Sequence, residues 1–472
     1  MTSIRLRHIV LMLLLVLEPA AVLQAQGDKT AASLNEKAIS YLRQENYDKA
    51  VSTLTQAIKT APKYAESYFN MGFTYYCMKR YDDAMKWYLK TIAVDSSYAD
   101  AYVNVGLISN HKKQYDEGLG WCRRALAIDS SLSNAYTNMG VAYGGLGQAK
   151  PAIECYLKAL ALDRTSAITY NNLGNAYNSI GQYSRGIACL KKAVELMPDY
   201  ASAHYSMGMA YSKMGMPDDA VRCYKKAVEI EPRLVTAYNE IGNTYASAHD
   251  YDKAMEYFRL SVNKAPKYVD AYHNIGMLYY ERHIYDSAAF WFKRATLLDE
   301  KHDQSAYACG IAHYMQGDRK EAMKWYEQTV QINPKHALAL NSIGYMYQED
   351  KDYGKAIEYY KKALAASPKY AAAYTNLGNV YIQTKDYKAA VESYRTAAKI
   401  EPSNPQAHYN LGVAHYLAGD APAALAELER AVELKPNYYE ALNNLSVIYD
   451  ETGQPAKAKD YRDRADDADP GL

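Results

Sequence analysis

The sequence predicts an all-α solenoid built from repeated helix pairs. Glycine recurs every 34 residues from Gly72 to Gly412, eleven times in a chain of 472 residues, without a slip in register. Proline recurs near the end of the same unit, and apolar residues fill fixed positions between the two. A fixed period of this kind is typical of repeat proteins, in which each unit stacks on its neighbours.

The repeats account for nearly the whole chain. We number each repeat so that the recurring Gly is position 8. Thirteen repeats then begin at Ala31, Ala65, Ala99, Ser133, Ala167, Ala201, Val235, Val269, Asp303, Ala337, Ala371, Pro405 and Tyr439. No linker or insertion separates them, so we expect residues 31–472 to form one continuous solenoid.

Each repeat is predicted to contain two helices, each followed by a residue that ends it. At about 100° per residue, positions 4, 7, 8 and 11 share one face of the first helix, and we expect that face to be core. Position 15 is often Gly, as at Gly147, which suits a helix-ending residue with positive φ. Small residues at positions 8 and 20 let the two helices approach closely. Proline at position 32 ends the second helix.

The unit 371–404 shows which family the pattern resembles. Its key residues are Tyr374, Leu377, Gly378, Tyr381, Ala390, Tyr394, Ala397 and Pro402. This pattern resembles the tetratricopeptide repeat, and the resemblance extends over all thirteen units. It implies a right-handed superhelix of antiparallel helix pairs, in which the first helix of each pair lines a concave groove.

The N-terminus predicts a secretory signal peptide. Arg5 and Arg7 precede the apolar segment Ile9–Leu17, and Ala25 provides a small residue before cleavage at Gln26. The apolar segment is too short to span a bilayer, which needs about 20 residues. We expect residues 1–25 to be removed, 26–30 to form a short leader, and the mature chain to have no membrane span. The protein would then be exported to the periplasm or the cell surface, of a bacterium by preference, or secreted.

Composition argues against several function classes. The chain has 54 Lys and Arg against 53 Asp and Glu, so no basic surface for nucleic acid is expected. The eleven His show no metal-ligand spacing, and the repeats leave no residues for a catalytic domain. We therefore expect no enzyme activity, no metal and no cofactor. The oligomeric state is left open.

A ladder of asparagines is the main candidate binding feature. Positions 2, 5, 6, 9, 12 and 13 of the first helix point away from the expected core and toward the groove. Position 6 is Asn in eight repeats: Asn70, Asn104, Asn138, Asn172, Asn274, Asn376, Asn410 and Asn444. Such amides both donate and accept hydrogen bonds, so they suit the backbone of an extended peptide. The series resembles the asparagine ladder of O-linked N-acetylglucosamine transferases. The alternative is that these residues cap helices or stay solvated.

Aromatic residues at groove-facing positions form a second candidate feature. Phe73, Tyr280 and Tyr345 lie at positions 9, 12 and 9 of their repeats. Exposed aromatic side chains in a groove are suited to be binding hot spots. Partial burial against neighbouring helices is the alternative.

Three cysteines occupy one position in consecutive repeats. Cys155, Cys189 and Cys223 lie at position 23, which elsewhere holds residues such as Trp87. Stacked helices lie about 8–10 Å apart, whereas a disulfide needs Cα atoms within about 7 Å. We expect these thiols to be unpaired fillers of the position.

Three functional hypotheses follow. The favoured one is an exported, non-enzymatic scaffold whose groove binds an extended peptide or a partner helix. The second is a structural component of a bacterial envelope or secretion assembly that docks through its convex face or its ends. The third, an adaptor for a glycosyltransferase acting in trans, rests on the family resemblance alone.

Overall fold

The computed structural model describes residues 26–468, and the predicted signal peptide lies outside them. This range contains 26 α-helices and no strand. The helices are α1 (26–43), α2 (Tyr47–Thr60), α3 (Ala65–Cys77), α4 (Tyr81–Val94), α5 (Ala99–His111), α6 (Tyr115–Ile128), α7 (Ser133–Gly145), α8 (Ala149–Leu162), α9 (Ala167–Ser179), α10 (Tyr183–Leu196), α11 (Ala201–Lys213), α12 (Pro217–Ile230), α13 (Val235–Ser247), α14 (Tyr251–Lys264), α15 (Val269–Glu281), α16 (Tyr285–Leu298), α17 (Asp303–Met315), α18 (Arg319–Ile332), α19 (Ala337–Glu349), α20 (Tyr353–Ala366), α21 (Ala371–Gln383), α22 (Tyr387–Ile400), α23 (Pro405–Leu417), α24 (Ala421–Leu434), α25 (Tyr439–Glu451) and α26 (Pro455–Ala468).

The helix bounds repeat in register with the sequence. From α3 onward, the first helix of each repeat spans positions 1–13 and the second spans positions 17–30. Residues 26–30, the expected leader, are helical and form part of α1. The predicted all-α fold of successive packed helix pairs is confirmed.

The chain divides into two compact units, with the boundary between Thr244 and Tyr245 inside α13. In the first unit, α3 packs on α4 and α4 on α5, and this order continues through α12. In the second unit, α14 packs on α15, and the same order continues to α26. Among residues 26–468, no helix has both the length and the apolar character needed to cross a membrane.

The buried face of the first helix is turned by about one residue from the expected one. In α21, Ala373, Leu377 and Val380 are buried, at positions 3, 7 and 10. Tyr374 and Tyr381, at positions 4 and 11, are only half-buried. The core therefore uses positions 3, 7, 8 and 10, and the tyrosines at 4 and 11 cover its edge.

The recurring glycine makes room for a side chain from the second helix, and in most repeats that side chain is an aromatic ring. A Cβ atom added to Gly378 would lie 2.7 Å from Cε1 of Tyr394, closer than real Cβ contacts come. The Tyr394 ring is 4% exposed, and its hydroxyl donates to Oδ1 of Asn379 at 2.6 Å. Gly72 and Tyr88 are related in the same way. The 34-residue glycine period thus records a helix–helix contact with no space for a methyl group.

Two local devices end the helices. Position 15 has positive φ in all thirteen repeats, with 73° at Gly147 and 60° at Lys113. Nine repeats have Pro at position 32. The four others have Asp at position 31, as at Asp95, whose carboxylate accepts from the backbone N–H of Ser97 at 2.9 Å. This Asx turn closes the end of the second helix where proline is missing.

Candidate functional site

A groove of about 840 Å³ crosses the first helices of repeats 1 to 5 in the first unit. Apart from Ser166, the N-cap of α9, its lining residues lie at positions 2, 5, 6, 9, 12 and 13. Asn70, Asn104, Asn138 and Phe73 all line it. The structure therefore brings four of the sequence-predicted site residues together on one surface.

The groove asparagines differ in how much of their hydrogen-bonding capacity is used. Nδ2 of Asn70 donates to Oδ1 of Asn35 in the preceding repeat at 3.1 Å. Nδ2 of Asn138 donates to the backbone oxygen of Val103 at 3.4 Å. The side chain of Asn104 makes no hydrogen bond to another described residue and is half-buried. Asn104 therefore presents both a donor and an acceptor to a ligand, whereas the other two amides also tie repeats together.

Exposed apolar side chains lie beside these amides. Phe73 is 44% exposed and Ile168 is 55% exposed, and Ile39 and Leu107 are half-buried in the same lining. Sequence reasoning missed Ile39, Leu107 and Ile168. These residues could have been found in the sequence as apolar side chains at positions 2 and 9, which point away from the core.

The electrostatics of the groove are nearly neutral. Its charged lining residues are Arg43 and Asp100, both exposed. An amide-rich and apolar wall without net charge suits peptide backbone and uncharged side chains, because desolvating them costs less than desolvating ions.

The fourth consecutive asparagine lies elsewhere. Asn172 lines a separate cavity of about 420 Å³, with Asn175 and Tyr156. Its Oδ1 accepts from Nδ2 of Asn171 at 3.4 Å. The run of four in the sequence is thus divided between two cavities.

The asparagines of the second unit also bond to neighbours. Asn376 donates to Oδ1 of Asn341 at 3.1 Å, repeating the 35-residue step from Asn70 to Asn35. Asn444 donates to the hydroxyl of Tyr409 at 3.4 Å by the same step. Position 6 therefore joins to position 5 of the preceding repeat in both units.

Two further ladder residues, Asn410 and Asn274, also lie in the second unit. Oδ1 of Asn410 accepts from Nε2 of Gln406 on its own helix at 2.8 Å. Asn274 is half-buried on α15. Ligand binding by the ladder stays a prediction for all eight asparagines.

Tyr280 and Tyr345 lie in the second unit and pack against other rings. The Tyr280 ring centroid is 5.5 Å from that of Tyr285, and burial raises the pKa of Tyr280. Tyr345 is 38% exposed and meets Tyr314 edge-on at 6.3 Å. Burial, helped by nearby Glu349, raises the pKa of Tyr345 to about 12. Both side chains combine partial burial with an accessible edge.

The described residues offer no group of three or more His, Cys, Asp or Glu arranged to hold a metal ion. All six cysteines carry free thiols. The pKa of Cys122 is raised by burial to about 12, which keeps that thiol protonated and unreactive.

Family models for the tetratricopeptide repeat match most of the chain. The model described as TPR repeat matches residues 174–215, 344–385 and 378–419. Models described as tetratricopeptide repeat match 29–97, 97–165, 155–188, 201–234, 235–268, 405–438 and 427–460. Together the matches cover 29–268 and 344–460. No curated protein sequence matches the chain.

Several solved structures are similar to parts or most of the chain. The crystal structure of MamA is 31% identical and covers 34% of this chain and 95% of its own, with a TM-score of 0.33. YrrB, titled as a TPR protein with an unusual peptide-binding site, is 25% identical and covers 40% of this chain and 98% of its own, with a TM-score of 0.33. Yeast Tom70 is 14% identical and covers 92% and 99%, with a TM-score of 0.43.

Proposed function

The chain belongs to the tetratricopeptide repeat family, and from this premise we propose that it is an exported, non-enzymatic scaffold that binds an extended polypeptide or a partner helix in the groove of its first unit. One observation carries the proposal. Three amides at position 6 and the exposed ring of Phe73 line a single groove of about 840 Å³. Such a surface combines backbone-directed hydrogen bonding with an apolar anchor site.

The spacing of the amides favours an extended ligand. Neighbouring packed helices lie about 8–10 Å apart, and an extended strand rises about 3.3 Å per residue. One asparagine therefore meets about every third residue of a peptide that lies across the helices. Affinity would come from several weak backbone contacts, with Phe73 and Ile168 selecting apolar side chains.

The proposal is tested by peptide selection and point substitution. A random peptide library is selected on the immobilised chain, and affinities of the selected peptides are measured by fluorescence anisotropy. We expect Asn104→Ala and Phe73→Ala each to weaken binding about tenfold, as loss of a hot-spot contact does. Asn443→Ala, at an exposed asparagine of α25, is the matched control. Unchanged affinity in both groove variants, or an equal loss in the control, would contradict groove binding.

Export is supported by the basic and apolar pattern before Gln26. The test is mass spectrometry of the protein purified from its native cell. We expect an N-terminus at Gln26 and recovery from the envelope or the medium. Recovery of an intact N-terminus from the cytosol would contradict export.

A second function, as a structural part of an envelope or secretion assembly, has one observation in its favour. Phe290 and Leu297 on α16 are 53% and 69% exposed, and the Arg294 guanidinium lies 5.3 Å from the Phe290 ring centroid. Phe290 and Leu297 are two helical turns apart, so they lie on the same face of α16. Exposed apolar residues that share a face are suited to docking against a partner. The test is whether the double variant Phe290→Ser, Leu297→Ser dissociates from a native complex. Dissociation of this variant, together with intact complexes of the groove variants Asn104→Ala and Phe73→Ala, would favour this function. The glycosyltransferase adaptor stays a prediction from resemblance.

A further inference from the structure

Another cavity in the first unit, of about 720 Å³, is separate from the groove and from the cavity at Asn172. It opens between α10, α11 and α12, and its lining includes the second helices of two repeats. Met207, which is 5% exposed, forms part of its lining, together with half-buried Tyr211 and Cys223. No residue lines both this cavity and the groove.

The cavity occupies a place that an aromatic pair fills in other repeats. In repeats 2, 3 and 8, a Tyr at position 4 packs on a Trp at position 23. The ring centroids are 6.0 Å apart for Tyr68 and Trp87, 5.9 Å for Tyr102 and Trp121, and 5.7 Å for Tyr272 and Trp291. Repeat 6 has His204 and Cys223 at these positions. Replacing an indole by a thiol removes most of the atoms that would fill the space.

In repeats 2 and 3, a cation at position 26 lies over the position-23 indole, and repeat 6 still has a cation at position 26. Nζ of Lys90, at position 26, lies 3.9 Å from the Trp87 ring centroid, and the Arg124 guanidinium lies 4.7 Å from that of Trp121. Repeat 6 keeps Lys226 at position 26, on the rim of the cavity. Lys226 also pairs with Glu229 at 3.0 Å. The site thus keeps the cation of a cation–π contact and lacks the ring.

The charge of the rim is positive. Lys191, Arg222, Lys225 and Lys226 line the cavity, against Asp218 and Glu229. A partner segment with acidic residues beside its ring would complement this rim.

The same two positions are closed differently in repeat 12. There, Nδ1 of His408 lies 2.7 Å from Oε2 of Glu427, at positions 4 and 23. A polar pair can therefore close this place in the fold. The opening in repeat 6 depends on the small Cys223 side chain opposite His204.

We propose that the cavity at Cys223 is a docking site for a partner protein that inserts a Trp or Tyr side chain flanked by acidic residues. The inserted ring takes the place of the position-23 indole. It contacts Met207 and the Cys223 thiol, and Lys226 lies at its face. This site acts independently of peptide binding in the groove.

The probe is the acetylated, amidated tripeptide Asp-Trp-Asp, titrated by isothermal calorimetry against the full mature chain. We expect saturable binding that weakens at least tenfold for Asp-Ala-Asp and for Lys-Trp-Lys. In Cys223→Trp the chain supplies its own indole, and we expect at least a tenfold loss of Asp-Trp-Asp binding. Cys189→Trp makes the same change at position 23 of repeat 5 and should bind like wild type. Equal binding of the Ala peptide, or unchanged binding by Cys223→Trp, would overturn the proposal.

A second measurement needs no variant. Iodoacetamide alkylation of each cysteine is quantified by mass spectrometry with and without Asp-Trp-Asp. We expect the tripeptide to slow alkylation of Cys223 at least threefold and to leave that of Cys77, which lines the groove, unchanged. An equal effect on both thiols, or none on Cys223, would also overturn the proposal.

Discussion

Oδ1 of Asn110 points at Gly118, so closely that an alanine Cβ there would lie 2.2 Å from the oxygen. Nδ2 of the same Asn110 donates to the backbone oxygen of Asn138 in the next repeat at 2.8 Å. Asn178 and Gly186 repeat this relationship. These are the two repeats with Gly instead of Ala at position 20, and the only two with Asn at position 12. The missing methyl group makes room for an amide that ties one repeat to the next.

The first prediction concerns this contact. Gly118→Ala should lower the free energy of unfolding by about 1–3 kcal/mol, because the added methyl group overpacks the contact with Asn110. Urea denaturation followed by circular dichroism measures the loss. Gly120→Ala, in the same helix with open space around its Cβ, is the control and should stabilise by about 1 kcal/mol.

Combining Gly118→Ala with Asn110→Ala should recover part of the loss. The double variant has no side-chain oxygen against the new methyl group, although it also lacks the bond to Asn138. The two effects should therefore be non-additive by more than about 0.5 kcal/mol. If the two changes in free energy of unfolding simply add, the Asn110 side chain is not what excludes a methyl group at position 20.

The helix pairs and their bounds could be predicted because the period and the stop residues repeat in the sequence itself. The buried face could be predicted only within about one residue. Tyrosines at positions 4 and 11 look apolar in a helical pattern, but their long rings reach the edge of the core, and small Ala373 sits at its centre. The shift of the buried face depends on the size and direction of the side chains, which a periodicity of apolar residues does not take into account.

The candidate site was only partly predictable, for a different reason. Asn70 and Asn104 occupy the same position of successive repeats. Their roles differ because the preceding repeat offers Asn35 to the first and Phe69 to the second. A contact between residues 35 apart depends on how two repeats meet, which a single-repeat pattern does not contain.

The second prediction concerns the turn between the two helices. Lys113 has φ of 60°, and left-handed backbone costs non-glycine residues about 1 kcal/mol. Lys113→Gly should therefore stabilise the chain by up to about 1 kcal/mol, less the entropy that glycine adds to the unfolded chain. Gly147→Ala, at the same position of the next repeat, should destabilise by about 1 kcal/mol. Thermal unfolding checks both, and shifts of the same sign would contradict the account.

The third prediction concerns acid. His273 lies with its ring centroid 5.3 Å from that of Phe292, and its Nδ1 is 2.9 Å from Oγ of Ser305. Burial, helped by nearby His302, lowers the pKa of His273 to about 4, whereas Asp270 opposes the shift. The folded chain then binds fewer protons than the unfolded chain between about pH 4 and 6.5. Stability from this residue is full above about pH 6.5 and falls by up to about 3 kcal/mol as the pH drops toward 4.

His273→Asn should reduce that pH dependence. Asn35 occupies the same position in repeat 1 and donates to Oγ of Ser67 at 2.8 Å, so an amide can replace the imidazole contact to Ser305. Urea unfolding of both proteins at pH 7 and at about pH 4.5 gives the comparison. The same loss of stability in both would show that His273 does not set it.

The fourth prediction separates structural from ligand-binding asparagines. Asn70→Ala removes the donor to the buried Asn35 and should cost about 1–2 kcal/mol of stability, because a buried acceptor loses its partner. Asn104→Ala breaks no side-chain hydrogen bond within the described residues and should change stability by less than about 0.5 kcal/mol. Urea unfolding and peptide anisotropy are measured on the same samples. If Asn104→Ala loses affinity at unchanged stability, the loss belongs to the ligand contact, since the fold is intact. Equal losses of stability at both positions would mean that the Asn104 side chain also stabilises the fold. All three position-6 asparagines of this groove would then be engaged within the protein, and none would be free to bind a ligand.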